Sequence, residues 1–582
     1  MAEEQQRQEM SGSEILLRSL MAEGVDTIFG YPGGAIMPVY DTLYDFQDQV
    51  RHVLVRHEQG AVHAAQGYAR VCGKPGVVFV TSGPGATNAI TGIADAMMDS
   101  TPLVVISGQV VASLLGTDAF QETDVLGVTL PISKWSYQIR RPEDVATAVA
   151  RAFFIARTGR PGPVVLDFAK NAQLGKARFD YKPVSYIRSY VPQPDIDDEK
   201  IREAARLLNR AKRPMVVFGQ GVVLSGAERE LAEFLDKTGT PAAATLLGLS
   251  ALPSDNPHYK GMVGMHGNIG PNVKTNECDV LMAVGMRFDD RVTGVVAAYA
   301  RQARVIHIDI DRAEIGKIIP VEIGIAGDAR EVLRRLTPMV DRASHDEWEA
   351  SFDKCNADER KMVSNAETNP GAGNVRMGEV VEAVSRIGKS EAIVVTDVGQ
   401  NQMIGARYST FRHSRSLLTS GGLGTMGFGL PAAVGAKVAA SGRNVCVFCG
   451  DGGLQMTEQE LGTIMQERLG VKVVLLNNNW LGNVRQWQQL FFGSRYSFTR
   501  LANPDFMTLA AAYGIRHRRV EDRSELDDAV AEMLADPDEP FLLEVHVEEQ
   551  DNVFPMVPPG KGVADIMLNA TTWYEYEPLA KR

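Results

Sequence analysis

Cysteine is scarce in this chain: five in 582 residues, odd in number and scattered. That excludes a disulfide framework and fits a reducing compartment. Cys446 and Cys449 form a single C-x-x-C, but they lie in the apolar run from Val445 to Cys449 with no second pair to complete a zinc site. They read as buried strand residues. An excess of basic charge is also missing. With a formal net charge of -12, the chain lacks the clustered positive surface that a nucleic-acid backbone or an anionic membrane requires. No apolar run approaches membrane-spanning length, and Met1 to Gln6 lacks the basic and then apolar order of a signal peptide. The expected location is cytoplasmic, and the expected ligands are small molecules, with no nucleic acid and no membrane.

What is present is the composition of a folded enzyme, 45% hydrophobic and 23% charged with 55 glycines, over a length that predicts about three domains. The runs Val77 to Val80, Leu103 to Ile106, Ile393 to Val395 and Val473 to Leu476 are short, apolar and rich in β-branched residues, as buried parallel strands are. Helical stretches such as Glu58 to Arg70 and Thr457 to Arg468 lie between such runs. This alternation predicts an α/β fold of doubly wound parallel-sheet domains. Tyr181 to Asp198, with spaced prolines, and Ala343 to Gly373, charged and then rich in Asn, Pro and Gly, read as linkers. The expected domains are 11–185, 195–340 and 373–550, with a C-terminal tail at 551–582. Sliding the chain by 368 positions sets Ala64 to Gly67 on Ala432 to Gly435, Val77 to Val80 on Val445 to Phe448, and Gly83 on Asp451. This weak echo predicts that the first and third domains share a fold, and that only the third carries a metal-binding carboxylate.

Gly450-Asp451-Gly452 follows a strand-like run, and 24 residues separate it from Asn477-Asn478, which end the next one. One βαβ unit of this kind can bring a carboxylate and an amide oxygen out together at the C-terminal ends of neighbouring strands. A hard cation such as magnesium fits that pair and often keeps phosphate oxygens in its shell, and backbone N–H groups near Gly453 can meet the same phosphate. A bound diphosphate is the expected ligand.

The segment resembles the signature of thiamin-diphosphate enzymes. The resemblance implies Asp451 and Asn478 as side-chain metal ligands, with the Trp480 carbonyl as a third. It also implies that Glu58, in Val55 to Ala61, is the carboxylate at the cofactor's pyrimidine ring; His57 beside it reads as structural by default. Gly421 to Gly427 is similar to the family's pyrimidine-binding loop, with Gly424 and Met426 holding the ring. Gly33, Val398, Gly452 and Gly453 are further contacts that the resemblance implies.

Over nearly the whole chain the resemblance is nearest to the acetohydroxyacid synthase (acetolactate synthase) family. It is carried by Phe29 to Gly34, Gly116 to Glu122, Arg287 to Gly294 and Val484 to Gln488. It implies decarboxylation of pyruvate and transfer of the two-carbon unit to a second pyruvate or to 2-ketobutyrate, within branched-chain amino-acid biosynthesis. Phe120 and Gln121 would border the reacting centre, Lys170 the entrance, and Met265 the substrate. Arg291 would hold the second keto acid's carboxylate and Trp487 would favour 2-ketobutyrate. Taken as residues alone, Arg291 reads as a salt-bridge partner of Asp289 or Asp290, and Trp487 as core.

A structural FAD is implied as well, on Arg160, His266, Arg287, Asp309 and Asp328. So are active sites at the interface of a homodimer or homotetramer, and a separate small regulatory subunit. The chain departs from the family pattern at Asn483, where methionine is common, at Val111, where proline is common, and at Ala169-Lys170-Asn171. Asn483 and Val111 are expected along the access channel. Two other readings stay open. One is a sister carboligase, such as FAD-free catabolic acetolactate synthase or glyoxylate carboligase, the latter opposed by Glu58. The other is a non-catalytic scaffold homologue, opposed by the presence of Asp451, Asn478 and Glu58.

Overall fold

The β-branched runs become the central strands of three six-stranded sheets, parallel throughout. The computed structural model describes residues 9–576. Met1 to Gln6 and the last part of the expected tail, 577–582, lie outside the described residues. Strands such as Gly76–Val80, Leu103–Gln109 and Val471–Asn477 are buried along their whole length. Helices cover both faces of such a sheet, so apolar residues are needed on both sides of each strand rather than on alternate positions.

The first sheet runs Arg51–Leu54, Thr27–Gly30, Gly76–Val80, Leu103–Gln109, Pro163–Ala169, Trp135–Ile139. The third runs Leu417–Leu418, Ile393–Thr396, Val445–Gly450, Val471–Asn477, Phe541–His546, Arg516–Val520. Numbered along the chain within each sheet, both have the order 2-1-3-4-6-5. The echo at 368 positions is therefore a shared topology. The central sheet differs. Its order, 3-2-1-4-5-6, is the dinucleotide-binding one, with a switch point between Pro214–Phe218 and Val280–Val284.

The helix Glu58–Cys72 begins where His57 Nδ1 accepts the Gln59 N–H at 3.1 Å and ends at Gly73 in the left-handed region. His57 is thus an N-cap. Its counterpart Gly429–Ala439 lies directly against it, so the first and third domains share one core.

Three expectations need correction. The helix expected at Thr457 to Arg468 starts earlier, at Asp451, and is broken by a 3-10 turn at Glu458–Glu460 before Leu461–Glu467. The linker expected at 343–373 contains the helix Asp346–Glu359. Its Trp348, Phe352 and Cys355 are buried, and the Trp348 indole N–H donates to the Pro214 carbonyl at 2.8 Å. Those three residues keep helical spacing beneath a charged surface, which masks the pattern. The tail is a strap: Val557 N–H donates to the Met265 carbonyl at 2.8 Å, and Lys274 reaches the Tyr576 hydroxyl at 2.9 Å. By contrast, 181–197 contains no helix or extended strand beyond an isolated Ile187–Tyr190 bridge. Cys446 and Cys449 are buried in a strand and unbridged. Among the described residues no helix is long and apolar enough to cross a membrane.

Candidate functional site

Val445–Gly450 and Val471–Asn477 are direct neighbours, with Gly450 beside Leu476. Asp451 and Asn478 therefore emerge side by side, and both are buried. Asp451 Oδ2 accepts from Asn503 Nδ2 at 2.7 Å, while Oδ1 is buried with no partner. Burial pushes the carboxyl up to about 6. An unpartnered buried carboxylate oxygen is unfavourable unless a cation or donor meets it. Asn478 Oδ1 accepts the Trp480 N–H at 3.1 Å, and its amide donates to Gln400 Oε1 at 3.3 Å, which fixes its orientation. Among the described residues no group of three or more His, Cys, Asp or Glu could hold a metal. A cation here would draw on one carboxylate with amide and carbonyl oxygens, the oxygen donors that suit magnesium.

Asp397, at the end of Ile393–Thr396, ties this corner to the glycine loop. Its Oδ1 accepts from Val398 N–H at 2.8 Å and Gly427 N–H at 3.0 Å, and its Oδ2 from Gly429 N–H at 2.9 Å. A Cβ on Gly453 would lie 2.5 Å from Asp397 Oδ1, so that approach requires glycine. Gly424 and Gly427 both take the left-handed backbone that favours glycine.

The loop opens onto a cavity of about 660 Å³ between the domains, a volume in the usual range of cofactor and ligand pockets. Ten of the cofactor and substrate residues that the resemblance implied line it: Arg160, Met265, His266, Arg287, Arg291, Asp309, Asp328, Val398, Gly424 and Trp487. His266 is buried with both ring nitrogens unpartnered, and burial, with Arg407 and Arg291 nearby, pushes it down to about 3, so the ring is neutral. Burial pushes Asp309 up to about 6. Arg160 Nη1 meets Glu314 at 3.0 Å and its Nε donates to Ser100 at 2.8 Å. Asp328 Oδ1 accepts the Glu331 N–H, capping the following helix. Asp289 Oδ1 accepts the N–H groups of Arg291 and Val292, and Arg291 Nη1 stands 3.7 Å from Asp290 Oδ2. This exposed Arg291–Asp290 pair is the surface salt bridge that residue identity alone favoured. Trp487 rests edge-on against Phe491 and borders the cavity, as does Asn483, whose Oδ1 is buried and unpartnered. Val111 is not among the lining residues.

A second cluster sits in the first domain. Glu58, the first residue of its helix, is buried and accepts from Asn88 Nδ2 at 2.9 Å. Gly33 lies against Thr81, Gly83 against Gln121, and Gly85 against Thr81 and Glu58. Gln121 has a positive φ, Lys170 Nζ donates to the Gly34 carbonyl at 3.2 Å, and Phe120 is 88% exposed. None of Gly33, Glu58, Phe120, Gln121 and Lys170 lines the cavity, nor do Met426, Asp451, Gly452, Gly453, Asn478 and Trp480. The chain carries two part-sites rather than one closed site.

Four residues escaped the reading of the sequence. Asn503 joins Asp451, Asn477 and Asn479 through one amide, and nothing near it in the chain marks it. Asp397 carries the loop from a strand end. Gln220 and Gly221 line the cavity at the switch point, and there a signal existed: Gly219-Gln220-Gly221 directly after a strand.

Comparison with known proteins adds three family matches, each described as a domain of the thiamine pyrophosphate enzymes: the N-terminal TPP binding domain at residues 10–128, the central domain at 201–336 and the C-terminal TPP binding domain at 397–545. The chain is 45% identical over 560 residues to the acetolactate synthase isozyme 2 large subunit of Escherichia coli, covering 96% of this chain and 99% of that one. It is 43% identical over 552 residues to the acetolactate synthase large subunit of Lactococcus lactis, covering 94% and 95%. With the Corynebacterium glutamicum acetolactate synthase large subunit the identity is 44% over 564 residues, covering 96% and 90%. With its two like sheets, its central dinucleotide-type sheet and these matches, the chain belongs to the thiamine pyrophosphate enzymes, in the family of acetolactate synthase large subunits.

Proposed function

We propose that the chain is the catalytic subunit of an acetolactate synthase, which decarboxylates pyruvate and joins the two-carbon unit to a second pyruvate or to 2-ketobutyrate. The observation that carries this reading is the pairing of Asp451, with its unpartnered buried oxygen, and Asn478 at the ends of adjacent strands. A magnesium ion fits that oxygen donor set, held by Asp451, Asn478 and the Trp480 carbonyl. Backbone N–H groups at Gly452 and Gly453 would meet the diphosphate. Val398, Gly424 and Met426 would hold the pyrimidine, with Gly33 on its far side. Thiamin diphosphate, when bound, supplies the electron sink for decarboxylation of a 2-keto acid.

The chain's own residues do the rest. Glu58, oriented by Asn88, would hold a proton on the pyrimidine nitrogen. Phe120 and Gln121 would shield the reacting carbon from water, with Lys170 at the entrance. Met265 would pack on the substrate, and the Arg291 fork would receive the acceptor's carboxylate in the cavity. Because Glu58 and the cavity lie apart in one chain, and Phe120 and Phe498 stand 88% and 100% exposed, a second copy would complete each site. A homodimer, or a tetramer built from dimers, follows. FAD in a structural role suits the central sheet's switch point and the unpartnered His266, with Arg160, Arg287, Asp309 and Asp328 around it. The limits 11–185, 195–340 and 373–550 remain our division of the chain, since one sheet lies inside each. A small regulatory subunit would be a separate chain.

The test incubates the purified protein with pyruvate, with and without 2-ketobutyrate, plus thiamin diphosphate, magnesium and FAD. Acetolactate and the 2-ketobutyrate product are expected. Acetaldehyde as sole product would overturn the carboligase reading, and a colourless active protein would point to the FAD-free form.

A further inference from the structure

Asp95 and Asp99 lie outside every site described so far. Asp95 is on the first-domain helix Ile90–Met98, Asp99 is its C-cap, and both are buried. A carboxylate at a helix C-terminus faces the negative end of the helix dipole, so local structure disfavours Asp99 there. What holds both is the stretch from Ser420 to Thr425 in the third domain. Asp99 Oδ2 accepts from Gly421 N–H at 2.9 Å and Oδ1 from Gly422 N–H at 2.7 Å. Asp95 Oδ1 accepts from the Thr425 hydroxyl at 3.0 Å and from the Ser420 hydroxyl. Thr425 N–H closes the loop on Ser420 Oγ at 2.8 Å.

The remaining partners come from the neighbouring helix of the first domain: Arg70 meets Asp99 at 3.0 Å, and Gln66 donates to Asp95 at 3.0 Å. A Cβ on Gly422 would lie 2.9 Å from Asp99 Oδ1. Both ends of the loop are therefore pinned, and only its tip, Leu423 and Gly424, is exposed, facing the cavity. An interdomain contact that merely glued surfaces together would have no need to satisfy backbone N–H groups on one side of that tip and a hydroxyl on the other.

We propose that Asp95 and Asp99 are positioning residues for recognition of the thiamin ring: from the first domain of the same chain they set the backbone path of the Gly421 to Gly424 tip. This rests on the reading of that loop as the pyrimidine site. Together with the proposed dimer, it makes each first domain act on two sites, supplying Glu58 to one and shaping the loop of the other.

The test measures binding of thiamin diphosphate and of inorganic pyrophosphate to the full chain by calorimetry, with magnesium present. Asp99→Asn sets an amide donor against N–H donors, and Thr425→Val removes one hydroxyl without changing shape, so the second remains informative if the first misfolds. Each is expected to weaken thiamin diphosphate about tenfold, the scale of one hydrogen bond to a charged group, with pyrophosphate nearly unchanged. Wild-type affinity for thiamin diphosphate in both variants, or equal loss of both ligands, would overturn the proposal. Gly424→Val separates the two readings. If it too leaves thiamin diphosphate binding intact, the loop is not the pyrimidine site. If it alone weakens binding, the loop reading stands and the aspartate proposal falls.

Discussion

Gly67 and Gly435 hold equivalent places on two helices that touch backbone to backbone: a Cβ on Gly67 would lie 2.0 Å from the Ala432 carbonyl oxygen, and one on Gly435 would lie 1.7 Å from that of Ala64. Each glycine, and each alanine it meets, is related to its counterpart by the same 368-position shift that relates the two sheets. The contact is a local two-fold one between two copies of one fold.

Gly435→Ala should therefore force the helices apart. Overpacking of this kind costs about 1–3 kcal/mol, more where backbone cannot yield. A fall in the urea midpoint is expected, with a similar fall for Gly67→Ala. An unchanged midpoint in either variant would contradict the packing.

Glu58→Gln keeps the shape and an oxygen for Asn88 but cannot exchange a proton as a carboxyl does. Turnover should drop about a hundred- to ten-thousand-fold, while thiamin diphosphate binding by calorimetry and the unfolding midpoint stay near wild type. Full activity would remove Glu58 from the role proposed.

Trp487 and Arg291 border one cavity, so they should affect acceptor choice differently. Trp487→Leu is expected to cut the preference for 2-ketobutyrate over pyruvate by about 10- to 200-fold, the worth of one methylene. Arg291→Lys, which loses the fork, should raise the KM for both acceptors with little change in their ratio. Product ratios under mixed substrates distinguish the two effects.

Asp167 lies fully buried at the end of the first sheet. Its Oδ2 accepts from Gln138 at 2.8 Å and Gln109 at 3.2 Å, while Oδ1 has no partner, and burial pushes the carboxyl up to about 7. The folded state thus favours the protonated form. Its contribution to stability is full below the unfolded value near 4 and is lost as pH rises through about 7. Asp167→Asn should flatten that dependence, gaining roughly 1–4 kcal/mol over wild type at pH 8 and much less at pH 5. Parallel urea midpoints for the two proteins across that range would exclude the account.

The strands were legible because a buried parallel strand must be apolar on both faces, and Val77 to Val80 or Val473 to Leu476 have little else to be. The helix Asp346–Glu359 was not, because Trp348, Phe352 and Cys355 sit among acidic residues that suit a solvent-facing surface as well as a linker. Asp451 and Asn478 could be paired from spacing alone, since one βαβ unit brings successive strand ends together. Asn503, which holds Asp451 in place, could not.

By itself, then, the order of residues determined the three α/β units, the Asp451 to Asn478 pairing and the family. These depend on periodicity and on neighbours within one supersecondary unit. The tertiary structure alone decided that Gly67 meets Ala432 and that Asp95 and Asp99 pin the Ser420 to Thr425 loop. In each case the partners lie more than two hundred residues apart, and a contact at that separation exists only after the domains have packed.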